Sequence, residues 1–189
     1  MELSASQKFE VGGFVKRNFK TNLSQKGIAK TISKLEDYRK NTLQQKANLI
    51  ATALANHGVA IAKLMVVKYD AVFTEELFSS IRTRLGYAGN GTCICYVVAD
   101  SKHAVFVEFG TGQIGSEAPY PYPMPDGFDW QYNIGQTIFE VAPGEYGWFY
   151  QRDGQTYFTQ GMPSRPFMYE TAKELQSRVV KIVKQTFKY

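Results

Sequence analysis

The stretch SQKGIAKTISKLEDYRKNTLQQKANLIATALANHGVAIAKLMVV, residues 24 to 67, sets Ile28, Ile32, Leu35, Leu43, Ala47, Ile50, Leu54, Ile61 and Met65 on a three-and-four spacing. That spacing lines one face of a helix. The residues between them are largely Lys, Gln, Asn and Thr, so the stretch predicts a long amphipathic helix from about Ser24 to Val67. His57-Gly58 is where it would be interrupted, because glycine inside a helix costs about 1 kcal/mol relative to alanine. At 1.5 Å per residue the helix would span on the order of 60 Å, which is long for a compact domain, so it breaks or projects.

Downstream the period changes. Ser80 to Tyr87 and Thr92 to Ala99 are β-prone runs around Gly89-Asn90-Gly91, and a second pair, Gly147 to Tyr150 and Thr156 to Thr159, flanks Asp153-Gly154. Both turns suit tight β-hairpins, since Asn and Asp tolerate positive φ before a glycine. Val105, Val107 and Phe109 alternate with Phe106 and Glu108 as in a short strand that ends at Gly110-Thr111-Gly112. On that reading Glu108 is either an exposed strand carboxylate or an intersubunit or backbone-capping contact. Ser164 is a suitable N-cap, Pro166 fits a first turn, and Met168, Ala172, Leu175, Val179, Ile182 and Phe187 repeat at helical spacing, predicting a C-terminal amphipathic helix with Phe167 inserted beneath it.

One domain is expected for residues 1–189, with an N-terminal arm over 1–23 and an insert over 113–161. The insert opens on Pro119-Tyr120-Pro121-Tyr122-Pro123-Met124-Pro125, and 12 of the 27 aromatic residues fall between Tyr120 and Phe158. Alternating proline resists helix and ladder alike, so an extended excursion with its own small sheet is predicted. Its aromatics, Tyr120, Tyr122, Trp130, Tyr132, Trp148 and Tyr150 among them, either bury against the domain or form a partner interface.

Charge is segregated along the chain. Residues 1–70 carry 12 Lys and Arg against 5 Asp and Glu, residues 71–164 carry 4 against 10, and residues 165–189 carry 6 against 2, giving +5 overall. Such segregation suits head-to-tail self-association as well as it suits nucleic acid, and solvated Lys-rich helix faces produce it too. Lys16, Arg17 and Lys20 interleave with Phe14 and Phe19 in the arm, a pattern compatible with nucleic-acid binding, although no recognised module accompanies it. No run approaches the roughly 20 apolar residues of a membrane span, and the N-terminus lacks the apolar core of a signal peptide, so synthesis in a cytosol is expected.

Chemistry-bearing sets are sparse. His57 and His103 stand 46 positions apart without a second ligand at helical or hairpin spacing, so no metal or other cofactor is expected. Gly110-Thr111-Gly112 lacks the lysine or third spaced glycine of a phosphate-binding loop, and His103 with Glu108 lacks a nucleophile to serve as an acid/base couple. Cys93 and Cys95 are read as small buried hydrophobes that reach neither each other nor a shared metal. A non-enzymatic protein is the expectation.

Val107-Glu108-Phe109-Gly110-Thr111-Gly112, followed by Pro166-Phe167-Met168 at the start of a C-terminal helix, resembles the tail-completion (head–tail joining) proteins of long-tailed phages and prophages. That family tends to carry a Thr-Gly-x-Leu-Arg-x-Ser-Ile segment before its first hairpin. Here Thr74, Leu77, Ser80 and Ile81 match it, while Glu75 and Phe78 replace the Gly and Arg. The resemblance covers roughly residues 28–99, 103–112 and 164–189. It implies an α+β fold in which a small, mainly antiparallel sheet packs against the long first helix and the C-terminal helix. It also implies a ring-forming virion subunit, a hexamer when assembled, that meets a neck adaptor or stopper and the tail tube, with DNA passing through the lumen unread and no membrane involved. A tail terminator and a basic nucleic-acid-binding protein are the alternatives.

Overall fold

The computed structural model describes residues 22–71, 75–132 and 137–186. It is α+β, with a long N-terminal helix, small antiparallel sheets and a C-terminal helix. The N-terminal arm up to residue 21, Thr74 and Phe187 lie outside the described residues.

The first helix begins where its cap predicts. The Ser24 hydroxyl accepts from the Gly27 amide at 3.1 Å, and the chain is helical from Gln25 to Lys68, 44 residues, as α1 (Gln25–Asp37), a π-helical turn (Tyr38–Leu43) and α2 (Gln44–Lys68). The irregularity falls at the π turn and not at Gly58. Inserting an extra residue per turn resets the helical phase, so one apolar periodicity read along the sequence becomes two faces. Gly58 instead permits close packing, since a Cβ there would stand 2.7 Å from the Val97 Cγ2 and 3.3 Å from the Leu175 Cδ2. By length and composition alone this helix could also cross a membrane. Alanine and valine between the larger residues raise its mean hydropathy without any long run of big apolar side chains. Ala55, Ile61, Ala62 and Val66 of α2 are buried in protein.

The described chain divides into two compact, discontinuous units. The first comprises residues up to 58, 83–97 and from 175 onward; the second comprises 59–82 and 98–174. The strands β1 (Ile81–Gly89) and β2 (Thr92–Ala99) form a hairpin whose residues 83–97 belong to the first unit; it turns at Asn90 (φ 51°) and Gly91 (φ 78°), the positive-φ pair of a two-residue hairpin loop. Gln44 fastens α2 to that turn, its amide oxygen accepting from the Gly91 N–H at 2.8 Å and its Nε2 donating to the Thr92 carbonyl at 3.0 Å. Cys93 and Cys95 lie on β2 with Sγ atoms 3.9 Å apart, both half-buried. This corrects their reading as separate buried hydrophobes: residues i and i+2 of a strand share a face.

The second unit holds most of the core, including Ile61, Val66, Leu77, Ile81, Val107 and Phe167. Leu77 is on the short helix α3 (Glu75–Ser80). The expected strand at Val105–Phe109 is instead helix α4 (Ala104–Phe109), followed by α5 (Gly112–Glu117). The buried set Ala104, Val107 and Glu108 runs at i, i+3, i+4, a helical face that includes a carboxylate. The insert builds a three-stranded antiparallel sheet of β3 (Phe139–Ala142), β4 (Glu145–Arg152) and β5 (Gln155–Thr159), with Asp153 (φ 51°) and Gly154 (φ 75°) in the predicted turn. A two-residue strand β6 (Gly161–Met162) bridges back to Thr111 and Gly112, and α6 (Phe167–Thr186) closes the chain.

Candidate functional site

The start of α6 explains why Glu108 is buried. The first amides of a helix have no partner within it and carry the positive end of its dipole. Glu108, only 7% exposed, supplies the missing acceptor from 60 residues away. Its Oε2 accepts from the Met168 N–H at 2.8 Å and its Oε1 from the Tyr169 N–H at 3.1 Å. Ser164, expected to cap the helix, turns its hydroxyl to the Glu108 carbonyl at 2.7 Å, and the Arg165 N–H donates to the Val107 carbonyl at 2.8 Å. Phe167, fully buried, fills the space beneath, and Pro166 is buried beside it. The two sequence landmarks therefore form one junction.

Gly110 and Gly112 bring the following chain against it. Both adopt positive φ, 82° and 65°, and a Cβ on Gly112 would stand 2.3 Å from the Gln160 carbonyl oxygen, a distance real Cβ atoms do not reach. Thr111 between them is buried and bridges to Met162. The Gly112 N–H donates to the Tyr132 carbonyl at 2.8 Å.

The insert's aromatics cover this junction. Phe109 contacts Tyr120, Phe128 and Trp130 at ring-centroid distances of 4.7, 4.9 and 5.4 Å, and the Trp130 indole N–H donates to the Gly110 carbonyl at 2.9 Å. Tyr122 stacks on Tyr169 at 3.9 Å and donates its hydroxyl to Glu170. Tyr150 stacks on Tyr157 across β4 and β5 at 5.6 Å, and Trp148 approaches Gly112. All six aromatics singled out from the sequence are half-buried. The more open apolar side chains of the insert are Phe139, Val141, Tyr146, Phe149 and Tyr157.

Electrostatics follow from burial. Desolvation pushes the Glu108 carboxyl above its ordinary pKa and Glu170 adds to the rise, while the amides of Met168 and Tyr169 and the Tyr120 hydroxyl oppose it. Tyr120 is pushed up to about 12, first by burial and then by the Glu108 charge. Tyr122 is pushed up to about 12, first by its hydrogen bond to Glu170.

Of the family-segment residues, Leu77 is buried and Ser80 donates its hydroxyl to the Leu77 carbonyl at 2.8 Å. His103 is exposed and the polar contacts of Glu108 run to α6 and Tyr120, so the imagined acid/base couple is not assembled. Among the described residues no group of three or more His, Cys, Asp or Glu is placed to hold a metal ion. Arg165, Tyr169 and Glu170 belong to the junction yet carried no sequence signal, because their part is played by backbone amides or by contacts tens of residues away. The arrangement acts as a staple: its carboxylate is engaged by helix amides and its glycines by close backbone. Comparisons with protein-family models, with curated proteins and with solved structures gave no match to the chain.

Proposed function

We propose that the chain is a structural subunit at the head–tail junction of a long-tailed phage, completing the tail and joining it to the head as part of a ring. The observation that carries this reading is the junction itself. The two motifs on which the resemblance rests, Glu108 to Gly112 and Pro166 to Met168, lie 54 or more positions apart in sequence, and the Glu108 carboxylate ties them by a hydrogen bond to Met168 and a second to the adjacent Tyr169. A staple of this kind holds the start of α6 against α4, and the second unit that contains it can present the insert's surfaces to a partner. The ring, six subunits when assembled, meets a neck adaptor or stopper and the tail tube, and lets DNA through its lumen.

The experiment is removal of the reading frame from the phage or prophage that encodes it. Filled heads and finished tails that fail to join are expected, whereas normal infectious particles would overturn the reading. A nucleic-acid-binding reading is favoured by one feature, the excess of lysine and arginine in the first unit. It requires binding to duplex DNA that weakens steeply with salt.

A further inference from the structure

Among the described residues, helix α1 keeps an apolar stripe exposed. Ile28, Ile32 and Leu35 recur at i, i+4, i+7 and remain 43%, 52% and 46% exposed, and α1 contains no buried residue. Lys26, Lys30 and Lys34 lie on the opposite side by the same spacing. Helix α1 continues through the π turn into α2, but its own 13 residues bury nothing, so a face supplied by a partner would stabilise it.

The second unit offers a matching surface. An open pocket of about 400 Å³ is lined by Gln113, Ser116, Gln131, Tyr132, Ile138 and Tyr146. Exposed Phe139 and Val141 are close in sequence to Ile138, and three carboxylates surround Gln113 and the β3–β4 turn. Glu117 accepts from the Gln113 Nε2 at 3.0 Å, Glu140 accepts from the Gly144 N–H at 3.1 Å, and Glu145 follows that glycine. Charge favours the match. Among the described residues the first unit carries ten Lys and Arg against two Asp and Glu, a net +8, and the second carries seven against thirteen, a net −6.

We infer that α1 of one copy docks, by Ile28, Ile32 and Leu35, into the Gln113–Tyr146 pocket of a second copy of this chain. This rests on the ring-forming reading and names its subunit contact. Pairing α1 with α1 would bring two strongly cationic units together, whereas docking onto the pocket brings unlike charges together and is steered by them. The stripe is three residues wide and holds no Trp or Phe, less apolar surface than helices lying in a bilayer use. Nucleic acid has no use for an isoleucine stripe. Each copy carries both halves of the contact, so the association is heterologous and continues from copy to copy until it closes.

The test uses the purified full chain in sedimentation velocity. Wild type should form oligomers that weaken between about 50 and 300 mM salt. The variant Ile28→Ser/Ile32→Ser/Leu35→Ser and the pocket variant Ile138→Ser/Tyr146→Ser should each sediment as monomers with an unchanged circular dichroism spectrum. Mixed, they should give a 1:1 dimer and nothing larger, because one intact contact remains. Wild type monomeric at about 1 mM in low salt would overturn the inference. So would a stripe variant that self-associates like wild type, or a stripe whose loss shows only as lost binding to phosphatidylserine vesicles or to duplex DNA. An oligomer that behaves as expected in a phage whose heads and tails join without the protein would sink the head–tail reading and leave this contact standing.

Discussion

Replacing Glu108 with alanine should release the start of α6. The substitution leaves the Met168 and Tyr169 amides without their acceptor in a buried setting, and removes the carboxylate that Tyr120 contacts. Each orphaned buried donor costs about 1–3 kcal/mol, and the lost favourable charge at a helix N-terminus about 0.5–1 kcal/mol more. Relief of the desolvation that raises the carboxyl's pKa offsets part of this, and a net loss of about 3 kcal/mol is expected. In a chain of this size that lowers the midpoint of thermal unfolding by roughly 6–12 °C. Glu108→Gln keeps one oxygen acceptor but turns an amino group toward the other amide, so about 1–2 kcal/mol is expected. Urea unfolding reads the stability, and amide hydrogen exchange at Met168 and Tyr169 reads the mechanism. Unchanged exchange at both amides in Glu108→Ala, with stability within about 0.5 kcal/mol of wild type, would refute the reasoning.

Three further outcomes follow from the same geometry. Because burial holds the Glu108 carboxyl above its unfolded value of 4.5, the folded state binds that proton more tightly. The stability advantage of wild type over Glu108→Gln is therefore full below that value and shrinks as pH rises through the folded-state pKa; urea unfolding of both proteins at several pH values between about 4 and 8 should show it, and a gap that widens with pH would contradict it. Gly112→Ala must force a Cβ toward the Gln160 carbonyl at positive φ, so a loss of about 3 kcal/mol is expected by thermal unfolding, with a loss under about 0.5 kcal/mol as the contrary result. Trp130→Phe keeps an aromatic ring against Phe109 but drops the hydrogen bond to the Gly110 carbonyl, and should cost about 1 kcal/mol in the same assay, a neutral result being the contrary one.

Features governed by local chemistry were legible in the sequence. Ser24 caps its helix as its side chain allows, and Asn90-Gly91 and Asp153-Gly154 turn the two hairpins as their positive φ values demand. The Glu108 segment was not legible as a helix, for a specific reason. Its apolar residues alternate like a strand, and the helical set Ala104, Val107, Glu108 appears only once a carboxylate is counted as buried. Nothing local tells a reader to do so, because the groups that make burial tolerable are amides 60 positions away. Gly58 misleads in the same manner, since its neighbours Val97 and Leu175 arrive from distant segments. The π turn at Tyr38–Leu43 and the strand β3 carried no signal that periodicity picked out. Likewise, the division into two units interleaves segments that no linker separates.

The central claim, a subunit that joins heads to tails, is tested most directly by joining in vitro. Heads and tails purified from a phage lacking the reading frame are mixed with and without the purified chain, and infectious titre is counted. The claim predicts that titre rises by orders of magnitude only when the chain is added. Equal titre in its absence would contradict it.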